Sequence, residues 1–295
     1  MAAYTTINDP GVYFNTVLWT GNDTTATAIT GVGFQPDMTW IKERSEVRSH
    51  VLFDVVRGAE VQLNPNDSAS DATVAESLQS FDADGFTVGD ATSVNKSGET
   101  YVGWNWKETA DAGFDIVAYT GNETARTIAH SLSAVPKMII AKDRDDGSLN
   151  WFVGHASLGW TKRLKLDGTN DAGTNTVWND TDPTSSVFSV GSSTNANKSG
   201  DAIIAYLWAE KQGFSKFGSY TGNGSTTSNF VYLGFKPAWL MLKNTASTQP
   251  WLLFNNKSFP FNGPVKYLHP NNSDAEASIT DYIDLLSNGF CLTNN

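Results

Sequence analysis

The chain has 295 residues, 40% of them hydrophobic and 17% charged, with a formal net charge of −11. That apolar content with ten tryptophans excludes a disordered chain, and the acidic balance, with no basic stripe against it, argues against a nucleic-acid partner. No apolar run reaches the length of a membrane-spanning helix, so membrane insertion is not expected, and the lone Cys291 is expected as a buried thiol.

Residues 1–13 lie outside any recurring pattern and are expected to form an arm, with Pro10-Gly11 at its base, suited to docking on a neighbouring chain. Val17-Leu18-Trp19 then leads into Thr20-Gly21-Asn22, a tripeptide that returns at Thr120-Gly121-Asn122 and Thr221-Gly222-Asn223, at spacings of 100 and 101. Repetition at a fixed period fixes architecture before any local assignment. A strand led by proline follows each copy, at Pro36–Lys42, Pro136–Lys142 and Pro237–Lys243. Proline at the head of a strand sets φ without breaking a ladder inside it. A second strand starts at His50, Trp151 and Trp251. Two windows with helical character, Ala72–Gln79 and Ala275–Leu286, come next in the first and third copies. Asp84-Gly85-Phe86-Thr87-Val88 then reads as a strand. Asn-Lys-Ser-Gly at 95–98 and at 197–200 leads into strands at 101–106 and 203–208.

These elements imply an all-β chain of three tandem antiparallel β-sandwich, jelly-roll-like repeats of about 100 residues and seven or eight strands each. Short polar links at Glu108–Ala112 and Glu210–Gln212 place the repeats at 14–109, 110–211 and 212–295 and hold them in a fixed relation, as a rod or a compact triad. The third copy is incomplete. Asn288–Thr293 matches the strand at Asp84–Val88, but neither Asn-Lys-Ser-Gly nor a closing strand follows within residue 295. An unpaired edge flanked by Phe290 and Leu292 is therefore expected, and native chains rarely leave such an edge bare. It can be closed by a strand donated by another chain, including a neighbour's arm, by local rearrangement, or by residues beyond Asn295.

Candidate chemistry is sparse. Asp82-Ala83-Asp84-Gly85 resembles the start of a calcium loop but lacks the downstream bidentate Glu, and reads as a tight turn. The four histidines (50, 130, 155 and 269) have no metal-ligand spacing, so neither metal nor cofactor is expected. Asp54, Glu60, Glu76 and Asp82 could supply a glycosidase pair, and His155 with Ser157 or Asp145 a hydrolase triad. The carboxylates do not recur in the other copies, and no nucleophile elbow surrounds a serine, so the expectation is a protein that is not an enzyme. Trp106 with Trp208, and Trp151 with Trp251, occupy equivalent positions and read as core or as contacts between copies. Trp160 and Trp178 have no counterpart. They are the candidate glycan or receptor contacts if exposed, with burial the competing reading. Lys42, Lys142 and Lys243 recur at one strand end, where a snorkelling stem would cover core and the ammonium would reach a loop carbonyl or carboxylate.

Gly213-Phe214-Ser215-Lys216-Phe217-Gly218-Ser219-Tyr220-Thr221-Gly222-Asn223-Gly224 resembles the signature of a triple-repeat β-domain family of structural, tail-fibre-like proteins of marine tailed phages. Met1–Ile7, Ser49–Gly58 and Ser80–Phe86 carry the same resemblance, which spans nearly the whole chain. One departure is that such proteins finish the third copy with a glycine-rich turn and an aromatic strand. The resemblance implies a virion component, made in a host cytoplasm and released by lysis, in keeping with a first segment that lacks signal-peptide character. It implies a tail fibre or host-recognition appendage that adheres multivalently to a host-surface glycan or protein. Its partners would be other virion proteins and copies of itself, as a homo-oligomer with a trimer foremost. The alternatives are a capsid decoration or head-fibre protein, and a glycan-cleaving virion enzyme.

Overall fold

The computed structural model describes residues 5–224, 228–261, 263–280 and 282–293. The chain is all-β with antiparallel sheets. Its first segment forms β1 (Phe14–Thr20), β2 (Thr27–Thr30), β3 (Met38–Glu43), β4 (Val51–Asp54), β5 (Val61–Gln62), β6 (Ala72–Thr73), β7 (Leu78–Asp82), β8 (Gly85–Val88) and β9 (Thr100–Trp106). The second forms β10 (Phe114–Thr120), β11 (Arg126–Ala129), β12 (Pro136–Asp143), β13 (Phe152–His155), β14 (Lys162–Lys165), β15 (Gly173–Thr174), β16 (Val187–Val190) and β17 (Ala202–Ala209). The third forms β18 (Asn229–Tyr232), β19 (Trp239–Leu242), β20 (Leu252–Asn255), β21 (Val265–Tyr267), β22 (Ala277–Ile279), β23 (Ile283–Leu286) and β24 (Gly289–Leu292).

Neither window is helical in its described residues: the first holds β6 and the start of β7 on either side of a turn at Ala75-Glu76, and the second holds β22 and β23. Neither window carries a long 3.6-residue stripe, and pairing with a neighbouring strand decides the conformation. The described α-helices are single turns, α1 (Thr92–Asn95) and α2 (Thr194–Asn197), each ending on the asparagine of Asn-Lys-Ser-Gly.

Sheet order recurs. β1-β9-β3-β4 in the first segment matches β10-β17-β12-β13 in the second, which β14 and β15 extend. A smaller sheet packs behind each: β2-β8-β7, β11-β16 and, in the third segment, β18-β24-β23. Between larger and smaller sheets lies an apolar core for each segment, around Phe53 and Phe86, around Phe152 and Phe188, and around Phe254 and Phe290. The opposite faces of the larger sheets converge on a fourth core shared by all three segments. It contains Trp40 and Trp104, Ile140 and Tyr206, and Trp251 and Leu253.

Contacts around that shared core repeat in a ring. The Asp71 N–H donates to the Arg144 carbonyl at 2.9 Å, Ala172 N–H to Thr245 at 3.0 Å, and Glu276 N–H to Arg44 at 2.8 Å. The first segment thus meets the second, the second the third, and the third returns to the first. Indole N–H groups reinforce two of these joints: Trp151 donates to the Asn64 carbonyl at 3.0 Å and Trp251 to Lys165 at 2.8 Å. At the third joint His50 takes the tryptophan's place, its Nε2–H donating to the His269 carbonyl at 3.1 Å.

From Thr5 onward the N-terminal arm lies against its own chain. Residues 1–4 lie outside the described residues, but Thr5 packs against Gly213, where an added Cβ would fall 2.2 Å from its Cγ2. Tyr13 meets Phe214 edge-on with centroids 6.2 Å apart. The arm expected on a neighbour is held by its own third segment.

Candidate functional site

Two recurring motifs prove to be halves of one lock. In the first segment Gly21 N–H donates to the Glu99 carbonyl at 2.9 Å, and Gly98 N–H donates back to Gly21 at 3.1 Å. Asn22 N–H donates to Asn95 Oδ1 at 3.1 Å, and Asn95 Nδ2 donates to Asn22 Oδ1 at 3.0 Å. The second segment repeats this: Gly121 N–H to Asp201, Gly200 N–H to Gly121, and Asn122 N–H to Asn197 Oδ1 at 3.0 Å. The glycine is needed for the approach. A Cβ at Gly21 would lie 2.2 Å from the Lys96 carbonyl oxygen, and one at Gly121 2.0 Å from that of Lys198. The lock fixes the start of β9 or β17, which then runs between two antiparallel partners: β1 and β3 for β9, β10 and β12 for β17.

The third segment keeps one half of the lock. Thr221-Gly222-Asn223 is present, yet nothing lies within 4 Å of a Cβ built on Gly222. β19 pairs with β20 on one side, and residues 214–224 form no strand. Tyr220 nevertheless packs on Phe290 with centroids 5.9 Å apart, as Trp19 packs on Phe86 at 5.7 Å and Tyr119 on Phe188 at 6.1 Å. Residues 214–221 therefore occupy the place of β1 and β10, with the central strand of that sheet missing beside them. The open edge belongs to β19 and not to the strand of Phe290 and Leu292. Those two residues are buried because β24 is paired with both β18 and β23.

The missing strand leaves a groove of about 1420 Å³ between Phe217–Gly222 and Trp239–Lys243, floored by Trp106, Met138, Val153 and Trp208 of the shared core. Sites for small ligands span about 300–1,000 Å³; this one has the dimensions of a polypeptide segment. Lys216, Lys236, Lys243 and Lys257 line it, with no carboxylate among the lining residues, in a chain of net charge −11. Exposure follows the vacancy. Every residue of β3 is buried, whereas all four of β19 are only half-buried. The exposed aromatic side chains among the described residues, Tyr220, Phe230, Tyr232 and Phe261, all belong to the third segment.

The recurring lysines behave as snorkelling predicts. Lys42 donates to the carbonyls of Glu43 and Glu46, Lys142 to those of Asp143 and Asp146, and Lys243 to those of Asn244 and Ser247. Burial pushes Lys42 down to about 8, with Glu43 and Asp274 pulling the other way. Lys243 is only half-buried, because no strand covers it.

Trp160 and Trp178 offer no exposed platform. Both are buried, edge-to-face with centroids 5.9 Å apart, in the core of the second segment. The reason lies in β13, where Gly154 replaces the Phe53 of β4 and the Phe254 of β20. A Cβ at Gly154 would fall 2.5 Å from Trp160 and 2.8 Å from Trp178, so the two indoles fill the space a phenylalanine takes elsewhere.

The acidic and histidine candidates have internal roles. Asp84 accepts from Gly31 and Gly33 N–H, which hold its carboxyl below the usual range, and Asp82 accepts from Ser80 and Thr87, as a turn requires. Glu76 accepts from Gln79 at 2.9 Å. Asp54 pairs with Arg57 at 2.6 Å and accepts from the Tyr206 hydroxyl at 2.6 Å. His155 Nδ1 accepts from Ser157 N–H, and Asp145 accepts from Ala202 N–H, so His155, Ser157 and Asp145 form no relay. Among the described residues no group of three or more His, Cys, Asp or Glu side chains could hold a metal ion.

A family model described as a domain of unknown function, DUF7483, matches residues 9–295. The chain belongs to that family. No curated protein and no solved structure matches it. For this DUF7483 member, then, the groove and its half-lock are the features on which a functional reading has to stand.

Proposed function

We propose that the chain is a non-enzymatic virion structural protein built from three tandem jelly-roll-like β-sandwich repeats, serving in a tail fibre or host-recognition appendage of a tailed phage. The observation that carries this reading is the ring of joints around a shared aromatic core, with a strand-wide groove left open at β19. Three segments closed in a ring, with a groove shaped for a chain segment, suit assembly better than turnover of a small substrate. The resemblance of Gly213–Gly224 to phage structural proteins supports it from the sequence side. Adhesion would draw its strength from many copies on one particle, with other virion proteins, further copies of the chain and a host-surface glycan or protein as partners.

Immunogold labelling of purified phage particles with antibodies raised against residues 1–295 tests this. Label on the tail is expected. Label confined to the head would replace the appendage reading with a capsid decoration or head fibre, and particles without label would end the virion reading. Catalytic release of reducing sugar from host polysaccharide by the purified chain would contradict the non-enzymatic part.

A further inference from the structure

We propose that the groove of the third segment is a strand-acceptor site for a partner segment made of an Asn-Lys-Ser-Gly turn followed by an apolar strand of about seven residues, inserted antiparallel to β19. The proposal rests on the geometry of the third segment and holds whether or not the protein is a virion component.

The chemistry of the occupant follows from the two filled examples. β9 reads Thr100-Tyr101-Val102-Gly103-Trp104-Asn105-Trp106, and the matching part of β17 reads Ala202-Ile203-Ile204-Ala205-Tyr206-Leu207-Trp208. The fourth residue is small because it faces the aromatic of the outer strand: a Cβ at Gly103 would lie 3.1 Å from Trp19. In the third segment Tyr220 holds that outer position. The fifth residue is aromatic and stacks on the ring that begins the next strand. Trp104 lies over His50 with an interplanar angle of 21°, and Tyr206 over Trp151 with one of 19°. Trp251 waits at the equivalent place. The seventh residue, Trp106 or Trp208, enters the shared core, where Trp106 already touches Trp239 edge-on at 5.5 Å. Between lock and strand both examples carry an acid, Glu99 and Asp201, which pairs with the lysine of its own turn, Lys96 at 3.6 Å and Lys198 at 3.0 Å.

A second copy of residues 1–295 does not fit as donor. Its Asn-Lys-Ser-Gly strands are buried in their own sheets, and its arm packs on its own Gly213. Residues 1–295 do not supply it; the proposed occupant is a partner's segment with this turn and strand.

The test uses residues 1–295 with a synthetic peptide of sequence Asn195–Glu210. Calorimetry should show saturable one-to-one binding, no binding of a scrambled peptide, and at least a tenfold loss with Gly222→Ala, whose methyl would meet the incoming carbonyl as it would at Gly21 and Gly121. The same sixteen residues joined to Asn295 by a flexible linker should raise the unfolding temperature above that of a scrambled fusion. Equal behaviour of native and scrambled segments in both formats would overturn the proposal. So would a stable dimer of residues 1–295 in which the β19 edge is already protected from hydrogen exchange, since a second copy would then be the occupant.

Discussion

Arg57 shows how much one residue holds in this fold. Its guanidinium is buried with Asp54 and donates to the Leu52 and Val61 carbonyls at 2.8 Å. Arg57→Ala would strand a buried carboxylate that also anchors Tyr206 of the second segment. The expected loss is about 3–5 kcal/mol in denaturant unfolding; a loss below about 1 kcal/mol would show the pair to be dispensable. His50 makes a pH-dependent contribution. Its Nδ1 accepts from the Trp40 indole while its Nε2–H donates to His269, so the ring is neutral, and burial first, then Lys42, holds its pKa well below 6.5. Below pH 6.5 the unfolded chain binds a proton that the folded chain refuses, so stability falls as pH falls. The group's share of that fall is about 1.4 kcal/mol between about pH 7.5 and about pH 5.5. Glu108 works against it: burial, then its hydrogen bond with Asp115, raises its pKa, so it favours the fold at lower pH. The informative quantity is therefore the difference in slope between wild type and His50→Gln, which should match the His50 share; identical slopes would contradict the assignment. Repetition made Trp151 and Trp251 legible as core or as contacts between copies, and both lie in the shared core with their indoles bonded across a joint. The choice between exposure and burial of Trp160 and Trp178 turns on Gly154 in a phenylalanine's position, a cue that emerges only when β4, β13 and β20 are laid together.

At the scale of elements, the strands were legible because their prolines, glycines and aromatic runs recur in register. What the sequence concealed was the bond between Thr-Gly-Asn and Asn-Lys-Ser-Gly, since the asparagine pairs that join them are 73 and 75 residues apart. Substitution separates the filled locks from the empty one. Gly121→Ala forces a methyl onto the Lys198 carbonyl and should cost about 1–3 kcal/mol. Gly222→Ala meets nothing and should stay within about 0.5 kcal/mol of wild type in residues 1–295. Equal costs at the two positions would mean that the third lock is occupied. The helical windows failed for a related reason. Short strands such as β22 take their conformation from the strand they pair with, β21 in that case, and local rhythm carries no trace of it.

At the scale of the molecule, the short links gave a fixed relation between copies, and the choice between rod and triad came from joints that no local motif announces. Arg44 with Glu276 is one, a two-point pair at 3.0 and 2.7 Å across 232 residues. The third segment closes this ring while leaving the shared core uncovered at β19. Hydrogen exchange of individual β19 amides tests that claim most directly. Along β19 and at Lys243 just past its end, the N–H groups of Trp239, Met241 and Lys243 alternate with those bonded to β20 and so point into the groove. In residues 1–295 they should exchange orders of magnitude faster than the equivalent amides of Trp40 and Lys42 beside β9, and of Ile140 and Lys142 beside β17. They should become protected when the Asn195–Glu210 peptide is added. Protection equal to that of β3 and β12 in the chain alone would contradict an open strand-acceptor groove.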